Sequence, residues 1–239
     1  MVVKRYRSVE HGQPEREWRA LGLLDRYAPG LAPVPVSADL DGEPPSVVMS
    51  RVAGSAVDEV VEGVLADALA EAVDRVQRAV PPAVLEKVPV RAGDAVALLE
   101  RVRGWLAAGE EVGVVADALR RADAWVRRPD LAERLARPGT PVFGTGDGNL
   151  ANYLWDGSRI RLVDFEYAGR GDRAFELAEV LEHVSVWRGG VGGMDGVLDR
   201  LELTAGEAAR LIECRRLLAL FWLLRTRAEA PARRMLSLL

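Results

Sequence analysis

Asp147, Asn152 and Asp164 stand in an order and spacing suited to phosphoryl transfer. A hard cation such as Mg²⁺ takes carboxylate and amide oxygens and keeps several waters, so one or two protein groups beside a substrate's phosphates suffice to hold it. Asn152 and Asp164 can supply those groups. A second carboxylate that is not spent on metal can orient an attacking hydroxyl and accept its proton, and that is the part open to Asp147. Short apolar runs flank the turn Trp155-Asp156-Gly157-Ser158, which predicts a β-hairpin with Asp147 and Asn152 before it and Asp164 at its exit. Taken singly, Gly146-Asp147-Gly148-Asn149 is also good turn chemistry, and an aspartate at a strand end often caps the next helix. The order of all three around one hairpin is what points to catalysis.

Asp-x-x-x-x-Asn followed by an apolar strand ending in Asp164-Phe165 is the kinase catalytic-loop pattern. With these residues the chain resembles the aminoglycoside phosphotransferase and choline kinase family, the small-molecule branch of the protein-kinase-like fold. The resemblance implies an α+β, two-lobe fold, with a small β lobe in residues 1–53 and a larger, mostly helical lobe in 54–239. It implies ATP as phosphoryl donor, Mg²⁺ as cofactor and a small-molecule acceptor: an aminoglycoside, a choline-like amino alcohol or a sugar alcohol. Asp147 would be the catalytic base, and Asn152 and Asp164 the metal ligands.

The remaining elements must position those groups. Val2 to Tyr6 alternates as a strand and carries Lys4, while Trp18, Leu21 and Leu24 fall at helical spacing between Pro14 and Ala28. Glu17 shares the inward face of that helix. Lys4 and Glu17 match the pair that kinases use to hold the α- and β-phosphates, and Arg16-Glu17-Trp18-Arg19-Ala20-Leu21 resembles the family's opening of this helix. Pro33–Val36 and Ser46–Met49 read as strands around an Asp41-Gly42 turn. Met49, Ser50, Arg51 and Val52 then resemble the hinge whose backbone meets adenine, which places a lobe boundary near residue 53.

Beyond it, helices are expected over 57–80, 93–108, 111–128, 172–187 and 204–227. Pro81, Pro129 and Pro138 act as stops, and Thr204 with Glu207 forms a capping box. The five glycines between 189 and 196 read as a flexible loop rather than a phosphate cradle, because they follow a helix and fit neither phosphate-loop template. Glu166 and Asp172 are candidates for binding the acceptor. Trp105, Trp125, Trp187 and Trp222 could form an aromatic box for a quaternary ammonium, although tryptophans at helical positions are more often core. Glu166, Glu176, Glu179 and Glu182 could attract a polyamine sugar, but a solvated helix face explains most of them.

Three features depart from the family pattern. With Lys4 so near Met1 there is no room for the Gly-rich hairpin that covers the triphosphate. A start upstream, an enzyme without that lid, or a partner strand or dimer completing the exposed sheet edge are the explanations, and an upstream start is the expectation. Thr145 stands where the family has a histidine two positions before the base, and Glu166 resembles the Asp-Phe-Glu of choline kinases.

The 239 residues suffice for one domain or two small ones, and 49% hydrophobic with 28% charged residues describes an ordinary globular chain. A net charge of −4 argues against a nucleic-acid partner. Cys214 is the only cysteine, and His11 and His183 the only histidines, so thiolate and histidine-rich metal centres are excluded. No signal peptide or membrane-length apolar run is evident, which leads to a cytoplasmic expectation. A competing function from another class is a catalytically silent nucleotide-binding or regulatory module. Gly169-x-Gly171-x-x-Ala174 gives only a weak dinucleotide fingerprint, because no second βαβ unit follows.

Overall fold

The computed structural model describes residues 1–7, 9–58, 61–106, 112–188 and 194–239. Its first sheet is built from β1 (Val2–Arg5), β2 (Pro35–Asp39) and β3 (Ser46–Met49) in the antiparallel order β1-β3-β2, with Lys4 opposite Val47. Helix α1 (Gln13–Tyr27) has Pro14 in its first turn, where the missing N–H costs nothing. It buries Glu17, Ala20, Leu21 and Leu24 on one face and packs on β2 and β3. The amphipathic pattern thereby turns Glu17 towards the strand that carries Lys4.

The chain next crosses to β4 (Ser55–Ala56), which pairs with β6 (Tyr153–Trp155), and β6 pairs with β7 (Ile160–Leu162). Gly54 permits this crossing: its φ is +122°, and a Cβ there would stand 2.8 Å from the carbonyl oxygen of Trp155. A third pairing joins β5 (Pro141–Gly144) to β8 (Gly169–Asp172). The predicted hairpin is therefore present, and β5 and β8 bracket it.

The body is helical: α2 (Gly63–Arg78), α3 (Pro82–Leu85), α4 (Ala95–Trp105), α5 (Gly113–Val126), α6 (Leu131–Ala136), α7 (Arg173–Glu182), α8 (Val184–Arg188), α9 (Met194–Leu198), α10 (Ala205–Thr226) and α11 (Glu229–Leu238). Helix α10 is the axis of this body. Leu211, Cys214, Leu217, Leu218, Ala219, Leu220, Leu223 and Leu224 are all buried around it, against α7, α11 and α4. Its N-terminus has the expected capping box of Thr204 and Glu207.

Two expected helices are shorter than their periodicity suggests. The first starts at Gly63 rather than residue 57, because Ser55–Ala56 join a sheet and the Val57 N–H donates to the Tyr153 carbonyl at 3.0 Å. The expected helix over 172–187 breaks at His183, whose backbone is extended. Helix α11 lies beyond the last helix expected from the sequence. The glycine run at 189–193 lies outside the described residues. No helix among the described residues is long and apolar enough to cross a membrane.

Candidate active site

Strand β5 delivers the loop 145–149 and a 3-10 turn, Leu150–Asn152, that leads into the hairpin. Asp147 is held from two sides: Oδ1 accepts from the Asn149 N–H at 3.0 Å, and Oδ2 from Nδ2 of Asn152 at 3.1 Å. Thr145, in place of the expected histidine, donates its hydroxyl to the Asp147 carbonyl at 3.0 Å. A Cβ on Gly148 would overlap the backbone carbonyl of Glu179, so only glycine lets the loop lie against α7. Burial pushes the Asp147 carboxyl above its ordinary range, with nearby Asp164 adding to the effect, while its donors from Asn149 and Asn152 and the Arg91 charge oppose it.

At the hairpin's exit, the Val163 N–H donates to the Asn152 carbonyl at 3.0 Å, which brings the next residue, Asp164, beside Asn152. Asp164 has φ +69°, a left-handed conformation uncommon outside glycine but most accessible to Asp and Asn. Such backbone persists where its surroundings over-determine it, and it clusters at functional sites.

Lys4 reaches this point from across the cleft. Its Nζ is 2.7 Å from Glu17, 3.0 Å from Glu166, and in contact with Asp164. Glu17 Oε2 also accepts from the Phe165 N–H at 3.1 Å, which ties α1 to the hairpin. Burial opposes charge on both partners of the pair. On Lys4 it is outweighed by Glu17 and Asp164, so the ammonium is held above its ordinary value. On Glu17 burial prevails and its carboxyl is raised. A lysine in contact with three carboxylates supports the ion-paired form, with Lys4 protonated.

The expected pairing of Lys4 with Glu17 is thus present. Glu166, expected on the acceptor side, lies with Lys4 instead, in the turn that follows Asp164. Asp172 is not brought here either. Its carboxylate caps α7 through the Ala174 N–H at 2.9 Å and pairs with Arg210. It sits three residues along β8 from Gly169, about 10 Å of strand. Met49 to Val52 run from the end of β3 towards β4, with the Ser50 hydroxyl accepting from the Val34 N–H at 2.9 Å.

Carboxylate oxygens of Glu17, Asp164 and Glu166 lie within 4.8 Å of one another, and Oε1 of fully buried Glu17 has no hydrogen-bond partner. This oxygen-rich donor set fits a hard divalent cation.

Sequence reasoning missed Arg91. Its side chain is 5% exposed and pairs with Glu176 at 2.7 Å and Glu179 at 2.9 Å, while Nη2 donates to the Gly146 carbonyl at 3.1 Å. Glu176 in turn accepts from the Gly146 N–H at 3.4 Å. The residue before the base is therefore gripped at both its polar backbone atoms. Glu176 and Glu182 are buried, which corrects the solvated-face reading of α7: Arg91 engages the first, and Arg215 and Arg234 the second, at 2.6 and 2.8 Å. All three arginines are distant in sequence, so local spacing gave no sign of them.

A cavity of about 480 Å³ opens beside Asp147, lined by Tyr167, Glu179, His183, Phe221 and Trp222 among others. His183 Nε2 stands 3.8 Å from Asp147 Oδ1. Of the four tryptophans considered for an aromatic box, only Trp222 lines this cavity. Trp105 stacks behind it on Phe221, Trp125 is buried with its indole donating to Glu213, and Trp187 packs partly buried against the core.

A family model described as the phosphotransferase enzyme family matches residues 1–218. The chain belongs to that family. Solved structures of similar fold include a choline/ethanolamine kinase family protein from Mesorhizobium loti (TM-score 0.66, 18% identity, covering 99% of this chain and 81% of that one). Others are the aminoglycoside phosphotransferase APH(4)-Ia with ADP and hygromycin B (0.61, 15%, 93% and 82%) and APH(3'')-Id from Streptomyces rimosus with ADP and streptomycin (0.59, 18%, 93% and 85%). No curated protein matches the chain. At these identities the neighbours establish the fold, and the expected α+β, protein-kinase-like architecture of this phosphotransferase is borne out.

Proposed function

We propose that this phosphotransferase moves the γ-phosphoryl group of ATP to a hydroxyl of a small molecule. The observation that carries the reading is Asp147, braced by Asn149 and Asn152 at the edge of a cavity, with the Lys4–Glu17 pair and Asp164 beside it. Asp147 orients the acceptor hydroxyl and takes its proton as the new O–P bond forms and the bond from the γ-phosphorus to the ADP oxygen breaks. Lys4, steadied by Glu17, binds the phosphates. Asn152 and Asp164 would hold Mg²⁺, which when bound neutralises charge building on the phosphate oxygens. Residues 49–52 offer backbone groups to the base, at a lobe boundary near residue 53. ADP in the aminoglycoside phosphotransferase structures supports an adenine nucleotide as donor. A soluble ATP pool as donor agrees with a cytoplasmic setting, and β1, an edge of its sheet among the described residues, offers that edge to a further strand or a second copy.

The test is ADP release across a panel of small alcohols, for the parent and Asp147→Asn. Transfer should fall by at least about a thousandfold in the variant while Mg·ATP binding persists; retained transfer would reject Asp147 as the base. One observation favours a second reading, a silent nucleotide-binding module: Lys4 already engages Asp164 and Glu166, contacts that must loosen for it to serve phosphates. Mg·ATP binding with no turnover on any acceptor would favour that module.

A further inference from the structure

We propose that the acceptor of this site is an uncharged or anionic alcohol with a flat apolar ring face, and that Arg101 is its anchor. The inference rests on the phosphotransferase reading and concerns the cavity beside Asp147. Its far wall is aromatic and braced. Trp222 meets His183 edge-on at 4.8 Å and Phe221 at 4.9 Å, and Trp105 stacks behind Phe221 at 5.8 Å. Leu218 is buried one turn earlier on the same face of α10, and Tyr167 also lines the cavity. Rings held by other rings form a rigid surface that favours a planar apolar partner.

The charge around this wall is wrong for a polycation. Among the described lining residues the acidic groups are Asp147 and Glu179. Glu179 is spent on Arg91, which contacts it through two nitrogens, and Asp147 is committed to the hydroxyl. Arg101, exposed on α4 one turn before Trp105, also lines the cavity, and has no acidic partner among the described residues. A small ammonium alcohol would leave most of about 480 Å³ unfilled. A ligand carboxylate, sulfonate or phosphate would instead find in Arg101 a fork of donors at the cavity wall.

The probe is 8-anilinonaphthalene-1-sulfonate, which is planar, apolar and anionic, titrated into the full chain and followed by energy transfer from tryptophan. Arg101→Glu and Arg101→Lys change one exposed side chain, so both variants should fold. The expected result is one binding site that weakens at least about tenfold in Arg101→Glu, in line with loss of a charge-assisted contact. Arg101→Lys should retain most of the affinity, and kanamycin or choline should not displace the probe. Absence of binding, equal affinity in Arg101→Glu, or displacement by kanamycin or choline would overturn the proposal. Mg·ATP titration of the same samples separates the two claims: intact nucleotide binding with a failed probe test removes only the acceptor class, whereas absent nucleotide binding removes the phosphotransferase reading itself.

Discussion

Replacing Arg91 with methionine keeps much of the side chain's bulk and removes its charge. The guanidinium is 5% exposed, its partner Glu176 is 5% exposed and Glu179 15%, so two carboxylates would be left in a poorly solvated site without their cation. Removing one partner of a buried ion pair costs about 3–5 kcal/mol, and the lost hydrogen bond to the Gly146 carbonyl about 1 more. A loss of roughly 4–6 kcal/mol is a large share of the ~5–15 kcal/mol that holds a domain together. In urea it should lower the unfolding midpoint by roughly 2 M, taking a slope of about 2–3 kcal/mol per molar. The double variant Arg91→Met with Glu176→Gln removes one stranded charge and should regain at least about 1.5 kcal/mol. A single variant within about 1 kcal/mol of the parent, or a double variant no more stable than the single, would refute the idea that this cluster clamps the catalytic loop through charge.

Other consequences are local. Gly148→Ala drives a methyl into the Glu179 backbone, which cannot give way as a flexible side chain would. A stability loss of about 1–3 kcal/mol and a marked fall in transfer are expected, and thermal melts with ADP-release assays check both. Burial opposes charge on Glu207, but hydrogen bonds from Thr204, Thr140 and Arg173 outweigh it and hold the carboxyl at about 2. Its folded value lies below the unfolded 4.5, so the stability it contributes is complete above that pH and is lost as pH falls towards 2. The difference in Tm between the parent and Glu207→Gln should therefore shrink as pH drops from about 5 to 2, and a constant difference would show that the carboxylate's charge is not what matters.

The parts of the site that were legible in the sequence are those whose signals are local. The hairpin follows from alternation around Trp155–Ser158, and Asp147, Asn152 and Asp164 from their spacing along it. The inward position of Glu17 follows from helical period, and the α10 capping box from Thr204 and Glu207. What stayed hidden depends on pairing between distant positions. Nothing around Arg91 announces that it will meet Glu176 and Glu179 on α7, and for that reason a buried acidic face reads as a solvated one. Glu166 and Asp172 are both acidic and both near the hairpin in sequence, yet the direction of β8 carries Asp172 away to a helix cap and leaves Glu166 with Lys4. The expected helix over 57–80 begins only at Gly63 because the chain leaves β4 with the Val57 N–H bonded to the Tyr153 carbonyl, a tertiary contact that periodicity does not register.

In the proposed function Lys4, Glu17, Asn152 and Asp164 form a Mg·nucleotide site while Asp147 does the proton transfer. Calorimetric titration of Mg·ATP into the parent, Lys4→Met, Asp164→Asn and Asp147→Asn tests it most directly. One site in the parent, lost or weakened at least about tenfold in Lys4→Met and Asp164→Asn and kept in Asp147→Asn, is the predicted result. No binding by the parent, or equal binding by all four proteins, would contradict it.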